Sequence, residues 1–327
     1  MNKKWIASAL AGGLVVGGAL VLPAQASEIA EYETQFATDF TVAGISGMRN
    51  LGTGSIELTG VSGSVTRALL YWHGPTNSED PAANAAVTFA STPVTGSNIG
   101  FSGDNNWGFE NSQAYRADVT SLVTGNGTYA LADFTKDDAQ VNGASLIVFY
   151  DDGDDSNNRD VVIFDGNDSN QENPFDGAGW NVSLAGIDYD SGSAGISLVV
   201  SDGQNFLDDA VIANGTELAP SGPVFQGDTL PSAGTDLNGL LWDQRAFDIT
   251  SLMTPGENTV TMTSGINSDL LSLIVAMVDL PAGSAPNQPT TTTSSTTTTA
   301  PSTTTTTRAT TTTTAAVVTT AAPKFTG

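Results

Sequence analysis

Between residues 28 and 280 the apolar positions fall in short runs rich in β-branched and aromatic side chains, separated by Gly, Asn, Asp and Pro. No stretch of more than about ten residues keeps a helical 3.6-residue period. The pattern predicts strands and turns, with clear strands over 55–59, 65–72, 86–89, 127–132, 145–150, 161–164, 180–184, 196–200, 258–263 and 272–278. Ile56 and Leu58, like Val260 and Met262, alternate with polar neighbours as in strands with one wet face. The runs 146–150 and 273–278 are apolar on both faces, which predicts central strands covered on both sides.

The strand pattern is duplicated. Asp118-Val119-Thr120-Ser121-Leu122-Val123-Thr124 returns as Asp248-Ile249-Thr250-Ser251-Leu252-Met253-Thr254, with five of seven positions identical. After each copy come a Gly-containing turn, a Thr-led strand and a Ser-Leu-Ile-Val strand, at 145–148 and 272–275. In each copy the Asp carboxylate is expected to accept the free amides of one helical turn, which makes Asp118 and Asp248 structural. The fold expected is all-β: two tandem jelly-roll-like β-sandwich domains, 27–158 and 159–281.

The two ends carry different signals. Residues 1–26 have a basic start (Lys3, Lys4), an apolar run and Ala24-Gln25-Ala26, the pattern of a secretory signal peptide. Residues 290–320 hold 20 threonines in 31 positions, so 282–327 is expected to be a disordered Thr-rich stalk, unable to bury enough apolar surface to offset its ordering entropy. Secretion and association with a cell surface or cell wall follow as the expected location.

Five segments taken in order carry a resemblance: 68–74 (Ala-Leu-Leu-Tyr-Trp-His-Gly), 118–122 with Gly127-Thr128-Tyr129, 143–152 (Gly-Ala-Ser-Leu-Ile-Val-Phe-Tyr-Asp-Asp), 159–166 (Arg-Asp-Val-Val-Ile-Phe-Asp-Gly) and 247–249 (Phe-Asp-Ile). Together the region 40–280 resembles an uncharacterised exported β-sandwich module, a family of unknown function found N-terminally in large bacterial and archaeal cell-surface proteins. The resemblance implies surface display and an all-β fold, and brings no catalytic residues with it.

Charge narrows the function classes. Between Glu28 and Asp279 only Lys136 and five arginines oppose 35 acidic residues, leaving this span near −29. Such a field repels phosphate backbones and anionic lipid, which argues against nucleic acid and electrostatic membrane docking as partners. There is no cysteine, so disulfides, thiol catalysis and Cys-based metal centres are excluded. His73 is the only histidine and lies in an apolar run beside Trp72, without a Gly-x-Ser-x-Gly elbow anywhere. Among so many carboxylates no acid–base pair stands out.

Calcium is the one candidate cofactor. The run from Asp165 to Asp176 places oxygen side chains at Asp165, Asn167, Ser169, Asn173 and Asp176, the spacing with which an EF-hand-like loop wraps a hard cation. Asp152 and Asp154 in the preceding acidic turn are expected to add oxygens. For ligand binding, Trp107 and Trp242 sit in polar surroundings suited to stacking on a sugar. The expected function is an exported, non-enzymatic structural or adhesive surface module, with a carbohydrate-binding module as the alternative and a secreted glycosidase or other hydrolase as the more distant one. Its expected partner is a surface ligand of unspecified identity, a glycan or another surface protein.

Overall fold

The computed structural model describes residues 28–103, 108–175, 177–180, 182–235, 239–265 and 269–283. The leader 1–26, all but the first two residues of the Thr-rich segment, Trp107 and Asp176 lie outside these. Among the described residues the chain is all-β. Its first half forms β1 (Ile29–Ile45), β2 (Gly54–Leu58), β3 (Ser64–Thr76), β4 (Ala86–Phe89), β5 (Thr92–Thr95), β6 (Ser97–Ser102), β7 (Asn111–Asp118), β8 (Gly127–Ala132) and β9 (Gly143–Asp151). Its second half forms β10 (Arg159–Ser169), β11 (Val182–Tyr189), β12 (Gly195–Ser201), β13 (Val211–Ala213), β14 (Thr216–Ala219), β15 (Trp242–Asp248), β16 (Gly256–Thr263) and β17 (Ser272–Pro281).

The duplication seen in the sequence is a duplication of strand order. The first half contributes β1-β9-β3-β7-β6 to a nine-stranded sheet and the second contributes β10-β17-β12-β15, the same sequence of neighbours without the extra edge strand. Each half adds a four-stranded sheet, β2-β8-β4-β5 and β11-β16-β13-β14, again in matching order. The small sheets close two apolar cores. One gathers Ile56, Leu58, Trp72, Phe89, Leu131, Phe134 and Val148, and the other Trp180, Leu184, Ile196, Leu198, Val260 and Met262. The alternating residues of the sequence pattern supply these inward faces.

The repeated Asp-x-Thr-Ser-Leu element is a single 3-10 turn, Thr120–Leu122 and Thr250–Leu252. Asp118 and Asp248 accept the amides of Thr120 (2.9 Å) and Thr250 (2.8 Å). The threonine hydroxyls then accept the amides of Ala68 (3.0 Å) and Ala194 (2.9 Å), tying each turn to its own half. This lowers both carboxyls: at Asp118 burial pulls the other way but is outweighed by Thr120 and Arg67, and at exposed Asp248 the Thr250 bonds act nearly alone.

What joins the halves is β1. Its first part pairs with β10 (Ile29 with Gly166 to Thr38 with Arg159) and its second with β9 (Asp39 with Tyr150 to Ile45 with Ala144). Because β1 serves both, the large sheet folds back on itself, and the faces turned away from the two small-sheet cores meet. Leu69, Tyr71, Ile147 and Phe149 of one half pack with Val161, Ile163, Val199, Trp242 and Met277 of the other. Trp242 donates from its indole nitrogen to the Ser145 hydroxyl on β9 at 2.9 Å. The fit there needs glycine at 143, where a Cβ would collide with the Trp242 ring. This third layer explains why 146–150 and 273–278 are apolar on both faces. It also makes residues 28–283 part of a single compact unit rather than two separable bodies.

Truncating the shared layer therefore weakens both halves at once. Phe149→Ala is expected to cost about 3–5 kcal/mol, while calorimetry still shows one transition with matching calorimetric and van't Hoff enthalpies. Two resolved transitions would contradict the shared layer.

Candidate functional site

By strand alternation, Arg67 lies on the same face of β3 as Leu69 and Tyr71, Arg116 on the same face of β7 as Ala114, and Asp165 on the same face of β10 as Val161 and Ile163. All three thus continue the apolar layer between the halves into a polar rim. The Tyr71 hydroxyl donates to Asp165 Oδ2 at 2.9 Å, and the Arg116 guanidinium donates to the same oxygen. Arg116 also lies over the Tyr32 ring, 3.1 Å from its centroid. Beside it Arg67 grips Glu33 with two parallel bonds, Nε to Oε1 at 3.0 Å and Nη2 to Oε2 at 2.9 Å. Arg67 further donates to the Tyr32 hydroxyl at 2.9 Å and forms an ion pair with Asp118.

The rim is half-buried: Arg67 and Glu33 each keep 22% of their side-chain surface, against 7% for Asp165. Burial pushes the Asp165 carboxyl up, with the Glu33 charge acting in the same sense, against the lowering pull of Arg116 and Tyr71. The Tyr71 hydroxyl is pushed well above its ordinary value by burial and by Asp165. Arg67 is held more firmly charged by Glu33. The rim thus offers two carboxylates, each paired with an arginine and Asp165 the more deeply buried, with two fixed cations and two phenols.

A second polar cluster lies where β12 ends. His73 Nδ1 is 2.7 Å from the Ser201 hydroxyl, and Asn142 donates to that hydroxyl at 2.9 Å. Arg49 bonds Asn142 Oδ1 (2.9 Å from Nε) and Asp202 Oδ1 (2.9 Å from Nη2). This serine–histidine pair is no nucleophile. Both residues are sealed from solvent, and burial, with the Arg49 charge, lowers His73 to about 3, so the ring stays neutral. Its other nitrogen meets no carboxylate. Nearby, Asp243 accepts the Gly227 amide (2.6 Å) and the Thr229 hydroxyl (2.9 Å). Burial raises it to about 6 despite those bonds.

The structure disperses the residues expected to bind calcium. Asp165, Asn167 and Ser169 lie in strand β10, not in a loop. Asp165 is taken by Arg116 and Tyr71, and the Asn167 amide donates to the Ser112 carbonyl at 3.3 Å. Asn173 accepts the Phe175 amide at 3.0 Å, and Asp176 lies outside the described residues. Asp152 and Asp154 accept the amides two residues on, of Asp154 and Ser156, as exposed turn carboxylates do. Among the described residues no three carboxylate or imidazole groups converge on one point. Of the two tryptophans proposed for sugar stacking, Trp242 is fully buried in the shared layer and Trp107 lies outside the described residues.

Sequence reading singled out Asp165 and missed its partners. Nothing in spacing links Glu33, Arg67, Tyr71, Arg116 and Asp165; the one available signal was an arginine inside an otherwise apolar or strand-like run. A family model described as "Protein of unknown function (DUF3344)" matches residues 59–280. No curated protein matches the sequence. Among solved structures, one described as N-glycanase F (PNGase F) aligns over 74% of this chain and 96% of its own at 11% identity, with a TM-score of 0.29. A second, described as PNGase F, a glycosylasparaginase from Flavobacterium meningosepticum, aligns over 77% and 96% at 12% identity, with a TM-score of 0.29. The expectation of a non-enzymatic structural or adhesive module is corrected to no assignment: the two aligned structures named here are of an enzyme, and at a TM-score of 0.29 they give this chain no activity. Likeness at this level carries no substrate or residue role across to this chain.

The raised Asp243 carboxyl predicts a pH dependence. A group whose folded value lies above its unfolded one contributes stability below about pH 4 and loses it as pH rises through its folded value near 6. Relative to Asp243→Asn, the wild-type protein should lose on the order of 3 kcal/mol between those limits, read from urea midpoints at each pH. A constant difference would remove this group as the source.

Proposed function

The chain belongs to the family described as "Protein of unknown function (DUF3344)", and from that premise we propose that it is a hydrolase with Asp165 and Glu33 as its acid–base pair, acting on a neutral glycan. The observation that carries the reading is the polar rim, where a carboxyl raised by burial stands beside one gripped by an arginine. Glycoside cleavage needs only two such carboxyl groups. In this role Asp165 delivers a proton to the leaving oxygen as the glycosidic bond breaks, and Glu33 takes a proton from the attacking water. Arg116 and Tyr71 orient Asp165, and Arg67 orients Glu33. The surplus of negative charge on the folded part disfavours anionic polymers and suits an uncharged one.

The matching strand orders support reading the two halves as tandem sandwiches, 27–158 and 159–281, that share one inner layer. The basic-apolar leader ending at Ala24-Gln25-Ala26 supports export, and the Thr-rich segment from 282 onward supports a spacer between the folded part and a surface.

Release of reducing ends from a panel of neutral glycans tests the hydrolase. Asp165→Asn and Glu33→Gln should each lower kcat by about 100-fold or more while the circular dichroism spectrum and melting temperature stay near wild type. Absence of turnover by the wild-type protein across pH 4–8, or unchanged turnover in both variants, overturns the assignment.

A further inference from the structure

The segment that follows β12 and the one that leads into β17 together carry three buried oxygen atoms that no donor meets among the described residues. After Ser201 the chain enters a left-handed residue, Asp202 (φ 70°), then Gly203 and Gln204. The Gln204 amide donates to Asp269 Oδ2 at 2.7 Å, which anchors the segment just before β17. Four residues on, Asp208 Oδ2 accepts two successive amides, Val224 at 2.8 Å and Phe225 at 2.7 Å. Phe225 closes the loop between these anchors, since its carbonyl oxygen would lie 2.7 Å from a Cβ on Gly203. Each carboxylate thus uses one oxygen to organise backbone. The others, Asp208 Oδ1 and Asp269 Oδ1, are buried without a partner, and so is Gln204 Oε1. The three side chains are at most 4% exposed.

Leaving such acceptors unmet costs about 1–3 kcal/mol each, more for charged ones, and the two arginines near them are engaged elsewhere: Arg49 with Asp202 and Asn142, and Arg245, whose charge lowers Asp208, with the Val224 carbonyl. A histidine or lysine partner is not at hand either: His73 is neutral, and Lys136 donates to the Asp133 carbonyl. We propose that Asp208, Asp269 and Gln204 form a calcium site that ties the turn after β12 to the segment leading into β17. Two carboxylates balance one divalent cation, and an all-oxygen set of carboxylate and carboxamide ligands is the choice of a hard ion. Main-chain carbonyls and water complete its shell. Burial, joined by the Asp208 and Asp202 charges, raises Asp269 to about 8, and burial, joined by Asp209 and opposed by Arg245, raises Asp208 to about 6. The site differs from the loop that sequence spacing suggested, and it does not depend on the hydrolase reading.

The test is thermal unfolding of the full chain in EDTA and in excess calcium. The wild-type melting temperature should rise by roughly 5–10 °C at a free calcium about a hundred times the dissociation constant. Asp269→Asn should abolish that rise while melting no lower than wild type in EDTA, because the repulsion is gone. Gln204→Glu should melt lower in EDTA and rise further with calcium, which keeps the proposal testable if the first variant folds poorly. Asp165→Asn, which touches the polar rim alone, should keep the full rise. A wild-type protein indifferent to calcium overturns the proposal, as does a rise that survives in Asp208→Asn/Asp269→Asn.

Discussion

The two halves of this protein depend on one strand that neither owns. β1 closes the large sheet of the second half with its first residues and that of the first half with its last. Once both partners are hydrogen-bonded to one strand, the outer faces of the two sheets must be covered, and each can be covered only by the other. Burial of Phe149, Ile163, Trp242 and Met277 in that layer follows. The hydrophobic gain is spread over residues far apart in sequence, so neither half reaches its full burial alone.

The polar chemistry is arranged around that layer by charge scarcity. With six basic residues among 35 acidic ones in the folded span, each arginine has many possible partners, and each is found in an ion pair. Arg49 to Asp202 and Arg116 to Asp165 cross between halves, and Arg67 joins β3 to β1 through Glu33. These are buried or half-buried contacts with several hydrogen bonds each, the setting in which an ion pair specifies a geometry. Arg245 and Asp228, at 4.0 Å and largely exposed, contribute little by comparison. The carboxylates left without arginines either go to solvent as turn residues, like Asp152 and Asp154, or are buried on backbone amides, like Asp208 and Asp243.

This division accounts for the distinct roles of acidic residues that look alike in sequence. Asp118 and Asp248 hold turns and are lowered by their threonines. Asp165 is raised because its face is covered by the opposite sheet. A non-enzymatic reading followed naturally from the lack of any nucleophile elbow or exposed histidine.

Local chemistry and periodicity were enough to determine the all-β class, most strand positions, the internal duplication and the capping role of the Asp-x-Thr-Ser-Leu turn, because each depends on residues within one strand or one turn. The doubly apolar runs 146–150 and 273–278 even announced that a covering layer exists. What covers them, and which polar residues share its rim, was decided only by the fold. Glu33, Arg67 and Asp165 are far apart in the chain and meet because β1 brings β3 and β10 face to face. Strand alternation dictates which face a side chain takes, but only tertiary packing decides what stands opposite it, and that moved Asp165 from a supposed calcium loop to an arginine and turned Trp242 from a supposed sugar platform into core.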